Sequence, residues 1–188
     1  VVVAWKTARR ILNLANPEHL AKLREGVTSW NKWRKAHSDI FPDLRDAVFQ
    51  SQDLRVTNFC DSDLRGADLS RSNLRSAQFC AANLTLANLG AAQLDGADLQ
   101  RATLLGANLI LASLSEAELS GANFGGATIG WTTFGNNDLR EAKQLETVLH
   151  EGPSTIGLDT IYRSQGNIPA AFLKGAGVPN NFLNTCPP

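Results

Sequence analysis

A leucine, phenylalanine or isoleucine occupies every fifth position from Leu44 to Leu139, twenty positions without an exception. A spacing of five matches neither the roughly 3.6 residues of an α-helical turn nor the two-residue alternation of a flat strand. To bury such a column, the chain must turn a corner within each unit and wind successive units around a common axis. Two residues before each apolar centre the chain prefers a small side chain, with ten consecutive units carrying alanine from Ala82 to Ala127. Between the small and the large residue usually stands Asp, Asn, Gln, Thr or Ser, and the two residues after the centre are mixed and mostly polar. Small and large inward positions, with polar residues elsewhere, describe a narrow tube with one pentapeptide per side.

Repetition at a short fixed period marks a solenoid, in which each unit buries its apolar face only against its neighbours. Phe59 and Phe79, Cys60 and Cys80, Arg45 and Arg65, Arg55 and Arg75, and Asp43 and Asp63 are each twenty residues apart. Four pentapeptides per coil would stack every such pair at the strand spacing of roughly 4.8 Å. Residues 42–141 then make five coils, a column about 24 Å tall at that spacing.

The units GADLS, AANLT, LANLG, GADLQ, GANLI and GANFG follow the pattern A(D/N)LXX, and with them the chain resembles the pentapeptide repeat family over residues 42–141. The resemblance implies an all-β solenoid, a right-handed quadrilateral parallel β-helix. Pro42, Gln52, Thr57 and Ser62 replace the small inward alanine early, and Thr132 and Asn137 replace it late, which predicts irregular or wider first and last coils.

A stacked column exposes unpaired backbone and apolar centres at both ends, so both need closing. Residues 1–41 read as an N-terminal helical cap. Asn16 is placed to N-cap a helix with Pro17 at its first position and Glu18 beside the positive end of its dipole. Leu20, Leu23, Val27, Trp30 and Trp33 fall on one face of that helix, which predicts both tryptophans over the mouth of the first coil. Residues 142–188 read as a C-terminal cap and tail, with short helical pieces over 142–150 and 170–174. The stretches GVTSWNKWRKAHSDIFPDL, GPSTIGLDTIYR and IPAAFLKGAGVP are similar to the flanks of bacterial pentapeptide repeat proteins that carry a C-terminal TIR domain. In such proteins the resemblance would make the column a sensor or scaffold for an attached NAD-cleaving or signalling domain. This sequence stops at NTCPP without one, which leaves either a longer natural protein or a stand-alone relative.

Charge narrows the partners. Lys and Arg number 18 and Asp and Glu 18, so no strong net field draws in nucleic acid or anionic membrane. The first 41 residues carry eight basic groups against three acids, and residues 42–141 carry twelve acids against seven arginines. No run approaches the roughly 20 apolar residues that span a bilayer. In VVVAWKTARR the charges follow the apolar run, the wrong order for a secretory signal. The expectation is a cytoplasmic chain without a membrane partner.

Cys60 and Cys80 lie one coil apart on the outside, within the separation a disulfide tolerates. Two free thiols in a reducing cytoplasm are the alternative. Cys186 has no partner in the pattern and could join two chains. The three histidines are scattered, and neither a metal site, a cofactor loop nor a catalytic set emerges. The arginine columns offer a patch for DNA backbone or an acidic partner, unless Asp43, Asp46, Asp53, Asp61, Asp63 and Asp68 neutralise them. Leu86, Leu105, Ile110, Leu111 and Trp131 all take outward positions, an apolar group of the kind that marks an interaction surface. The competing reading folds the tail back over them through Ile156, Leu158, Ile161, Tyr162 and Phe172. Together these features predict a non-enzymatic scaffold that presents a rigid surface to a protein partner, a second copy of the chain being one candidate. The alternative is a DNA mimic that occupies a type II topoisomerase, as quinolone-resistance pentapeptide proteins are thought to do. Its support is thin: a net of about five negative charges over the column compares with one per roughly 1.7 Å in B-DNA.

Overall fold

The computed structural model describes residues 15–183; Cys186 lies outside them. Parallel bridges join residues twenty apart along the column, from Asp43↔Asp63 through Asn83↔Thr103 to Asn123↔Lys143. The chain therefore returns to the same side after four pentapeptides, and the column has four faces. Face one carries the centres Leu44, Leu64, Leu84, Leu104 and Phe124. Face two carries Phe49, Leu69, Leu89, Leu109 and Ile129; face three Leu54, Leu74, Leu94, Leu114 and Phe134; face four Phe59, Phe79, Leu99, Leu119 and Leu139. All twenty centres are buried, with Phe59 stacked on Phe79 at 5.2 Å between rings.

The residue types follow from this geometry. A side-chain oxygen one residue before the centre accepts the amide one residue after it, as Asn83 does from Thr85 (3.1 Å), Asn108 from Ile110 (3.0 Å) and Asn123 from Gly125 (3.0 Å). Asp and Asn are favoured there because this contact closes a local turn. The chain then bends back: the Ala107 amide donates to the Leu104 carbonyl at 3.0 Å, and Ala87 does the same to Leu84. The second residue after the centre has positive φ, 54° at Asp46 and 62° at Gly106. That is the third position of a type II turn, which favours glycine. Val56 takes the same conformation at φ 52°, a strained setting for a β-branched side chain.

The substituted inward positions keep the register. Thr57, Ser62, Thr132 and Asn137 stay buried, and of the six replaced residues Gln52 alone is exposed. Thr132 Oγ1 donates to the Leu109 carbonyl (2.8 Å), and Asn137 Nδ2 donates to those of Leu114 (2.8 Å) and Ala117 (2.9 Å). The Thr57 and Ser62 hydroxyls, on either side of Phe59, are buried without a partner.

Below the first coil lie two helices where the sequence suggests one. Gly26, at φ 107°, breaks the run into α1 (Pro17–Arg24) and α2 (Val27–Ala36). The Asn16 side chain accepts the Glu18 amide, as an N-cap should. Leu23 and Trp30 are buried, with Leu20, Val27 and Trp33 packed beside them. Trp30 stands 6.3 Å from Phe59 of the first coil; Trp33 lies beside it at 5.2 Å, packs against the core and stacks on His37. The polar side chains of this region meet the lowest backbone of faces four and one. Trp30 Nε1 donates to the Asn58 carbonyl (2.8 Å), Asn31 Oδ1 accepts the Asn58 amide (2.9 Å), and Arg34 donates to the Cys60 carbonyl (2.8 Å). His19 Nδ1 accepts the Asp43 amide at 3.0 Å. On faces two and three, the Val48 and Asp53 amides and carbonyls have no partner among the described residues.

Above the column, the expected helical or irregular segment proves to continue the pairing. β1 (Thr128–Ile129) pairs in parallel with β3 (Leu149–His150), and β2 (Thr133–Phe134) with β4 (Thr155–Ile156). A single 3-10 turn, Leu145–Thr147, stands where a short helix was expected. Three short helices follow: α3 (Leu158–Arg163), α4 (Ala170–Gly175) and α5 (Asn180–Leu183). Thr160 on α3 and Ser164 just after it are buried, and their hydroxyls accept the Asn137 (3.2 Å) and Leu139 (3.0 Å) amides. Phe172 on α4 is fully buried, edge-on to Phe134 at 5.6 Å. Among the described residues no helix is long and apolar enough to cross a membrane.

Candidate interaction surface

The tail closes over the end of the column and leaves the outward apolar group largely bare. Leu86 is 69% exposed, Leu111 59%, Trp131 55% and Leu105 36%, with Ile110 half-buried. Phe172 is buried at the column end and Ile161 packs against the core, while Leu158 and Tyr162 point to solvent.

The five residues divide between two neighbouring corners. Leu86 and Leu105 follow face-one centres, and Ile110, Leu111 and Trp131 follow face-two centres. Between the corners runs the outer surface of face two, where Asn108 Nδ2 donates to Asn88 Oδ1 (3.1 Å) and Asn88 Nδ2 to Asp68 Oδ1 (3.2 Å). Leu149, exposed and paired above Thr128, extends that surface upward.

The apolar side chains rest on glycines. A Cβ at Gly106 would stand 2.9 Å from Leu86 Cδ2, one at Gly125 2.8 Å from Leu105 Cδ2, and one at Gly152 2.8 Å from the Trp131 ring. Each glycine thus opens a shallow seat for the outward side chain of the coil below. Sequence reasoning passed over these glycines, although the twenty-residue register already places position 106 over 86 and 125 over 105.

On this side the repeats between Asp68 and Arg71 below and Lys143 and Glu151 above carry no charge. Residues 81–94, 102–115 and 119–137 contain no Asp, Glu, Lys, Arg or His. Over these coils the charged groups are Asp95, Asp98, Arg101, Glu116, Glu118, Asp138, Arg140 and Glu141, all on face four or at the corner leading into it. Between residues 81 and 141 the column has one ionic side and one neutral side.

The ionic groups neutralise one another within single repeats. Asp53 binds Arg55 at 2.7 Å, Asp63 binds Arg65 at 2.7 Å and Asp138 binds Arg140 at 2.6 Å, each acid standing just before a centre and each arginine just after it. Links between coils also occur, Arg45–Asp63 at 3.6 Å and Arg75–Asp95 at 3.3 Å. The hydrogen bond from Arg55 holds the Asp53 carboxyl below its usual range, and that from Arg140 does the same for Asp138. A shallow cleft of about 220 Å³ lies among Glu118, Ser120, Asp138, Arg140, Glu141 and Arg163. In it Arg140 pairs with Asp138, Ser120 donates to Glu141 and Arg163 donates to Asn136. Among the described residues no cluster of His, Cys, Asp and Glu could hold a metal ion.

Cys60 and Cys80 stack at the face-four corner with Cα atoms 4.6 Å apart and Sγ atoms at bonding distance. Both are half-buried.

The pentapeptide repeats family model matches eight copies, at residues 43–79, 62–101 and 92–129. A pentapeptide repeat protein of the Arabidopsis thaliana thylakoid lumen is 29% identical, with a TM-score of 0.51 over 68% of this chain and 88% of that one. A pentapeptide repeat protein from Nostoc is 30% identical over 60% of this chain and 93% of its own, TM-score 0.36. One from the cyanobacterium Cyanothece is 32% identical over 52% and 63%, TM-score 0.43. No curated protein sequence matches. The chain belongs to the pentapeptide repeat family, whose members form right-handed quadrilateral β-helices and are generally structural or interaction modules without catalysis.

Proposed function

We propose that this protein is a non-enzymatic scaffold whose neutral side binds a protein partner bearing an uncharged, apolar surface. The observation that carries the reading is that residues 81–141 keep their charged groups to one side, with Leu86, Leu111 and Trp131 exposed on the other. Burying charged side chains unpaired is costly, so a side free of them is suited to close contact. The column itself is five coils, closed below by α1 and α2 and above by β3, β4, α3 and α4. Its role is to hold the neutral side rigid, so that little ordering entropy is lost on binding.

Capture from a cell extract, compared between the wild type and the variants Leu111→Asp and Trp131→Asp, tests this. The expected result is a captured protein retained in 1 M salt, on the order of tenfold reduced by either variant, and unaffected by Arg101→Glu on the ionic side. Capture that survives both Asp variants, or that is lost in salt, would sink the reading. DNA mimicry is the weaker reading, because the column sets only twelve acids against seven arginines and Asp43, Asp53, Asp63 and Asp138 pair with arginines of their own repeats.

A further inference from the structure

We propose that Cys60 and Cys80 form a thiol–disulfide exchange site whose state controls how firmly α2 holds the lower end of the column. Three independent observations meet on one segment. The bridge joins the first coil to the second at Cys60 and Cys80. The anchors of α2 land on the same stretch: Trp30 on the Asn58 carbonyl, Asn31 on the Val56 carbonyl and the Asn58 amide, Arg34 on the Cys60 carbonyl. That stretch is also poorly satisfied by its own packing, because the Thr57 and Ser62 hydroxyls are buried unpaired and Val56 is strained at φ 52°. Unpaired buried polar groups and a left-handed β-branched residue both favour local opening. The covalent tie to Cys80 opposes it by shrinking the ensemble of opened states.

The chemistry is an exchange with a dithiol. A thiolate of the reductant attacks one sulfur, a mixed disulfide forms, and its second thiol displaces that sulfur. The Cys60–Cys80 bond breaks, two thiols form here, and the reductant leaves as its own disulfide; two electrons and two protons have moved. Half-burial leaves the pair open to such a reagent. In the reduced state the segment 56–61 is held only by its ladder and by α2, and each opening of the segment releases Trp30 and Arg34 with it.

The test uses the full chain with Cys186→Ser, which removes the third thiol. Amide hydrogen exchange is compared between the air-oxidised protein and the same protein in excess dithiothreitol, the redox state of each being fixed by intact mass. The expected result is exchange roughly tenfold or more faster over 27–36 and 56–61 on reduction, with 145–163 unchanged. The double variant Cys60→Ser, Cys80→Ser should match the reduced form in either buffer. The proposal is overturned by any of three results: two free thiols persisting in glutathione disulfide, exchange over α2 that ignores the redox state, or an acceleration spread equally over both ends. It rests on the contacts of α2 and not on the neutral side, so its failure leaves the binding reading standing.

Discussion

The two ends of this column meet their neighbouring elements by different means. At the upper end the backbone carries on: β3 and β4 pair with β1 and β2, and only then do Thr160, Ser164 and Phe172 finish the work. At the lower end a separate pair of helices reaches in with side chains, and it meets faces four and one while the Val48 and Asp53 edge groups have no partner among the described residues. Backbone closure extends the ladder through β3 and β4, and the apolar burial comes from Val148, Ile168 and Phe172 beside them. Side-chain closure depends on a few hooks, each worth about 1 kcal/mol when it is an ordinary hydrogen bond. The lesson is that a repeat can be terminated either by more of itself or by a foreign element, and the second is the easier one to release.

Three measurements would break or sharpen this contrast. The largest effect is expected from Phe172→Ala, which empties a fully buried aromatic site between Phe134 and His150; chemical denaturation should report a loss of about 3–5 kcal/mol. Trp30→Phe keeps a ring against Phe59 and removes the donor to the Asn58 carbonyl, so the loss should be about 1–2 kcal/mol. Exchange should rise in α2 and leave the upper end unchanged. If the two variants destabilise equally and accelerate exchange everywhere, the ends are not separate units and the contrast fails.

The smallest effect is a pH dependence confined to the upper end. Burial lowers the pKa of His150, whose Nδ1 is buried without a partner and whose ring leaves no room for a Cβ at Gly175. The unfolded chain therefore takes up a proton first, at about pH 6.5. Stability is full above that pH and falls as pH drops from there toward the lowered folded value. The midpoint of thermal unfolding should decline over that window, and His150→Phe should flatten the decline. An unchanged slope in the variant would assign the decline to other groups.

Much of the column was legible in the chain because each of its rules is local. The five-residue rhythm marks the buried centres, and coincidences such as Phe59 with Phe79 give the twenty-residue return. The preference for Asp and Asn before each centre reflects a turn contact made within three residues. The helix break at Gly26 was harder to see, since Leu20, Leu23, Val27, Trp30 and Trp33 keep helical spacing across it. The upper strands were hidden for a different reason. Leu149 follows Thr128 by 21 residues and Ile156 follows Phe134 by 22, so the rhythm is lost while the backbone pairing persists. Of the candidate surface, the outward residues were readable one by one. Their division between two corners, and the glycines that seat them, required stacking the units.

The return of the chain after twenty residues also limits how such a protein can change length. Inserting or deleting one pentapeptide below Leu86 would turn everything above it by ninety degrees relative to α1 and α2. Trp131 and Leu111 would then look out over a different compass point. Only whole coils can be added or lost without re-aiming the neutral side, so drift in size for this architecture proceeds in steps of twenty.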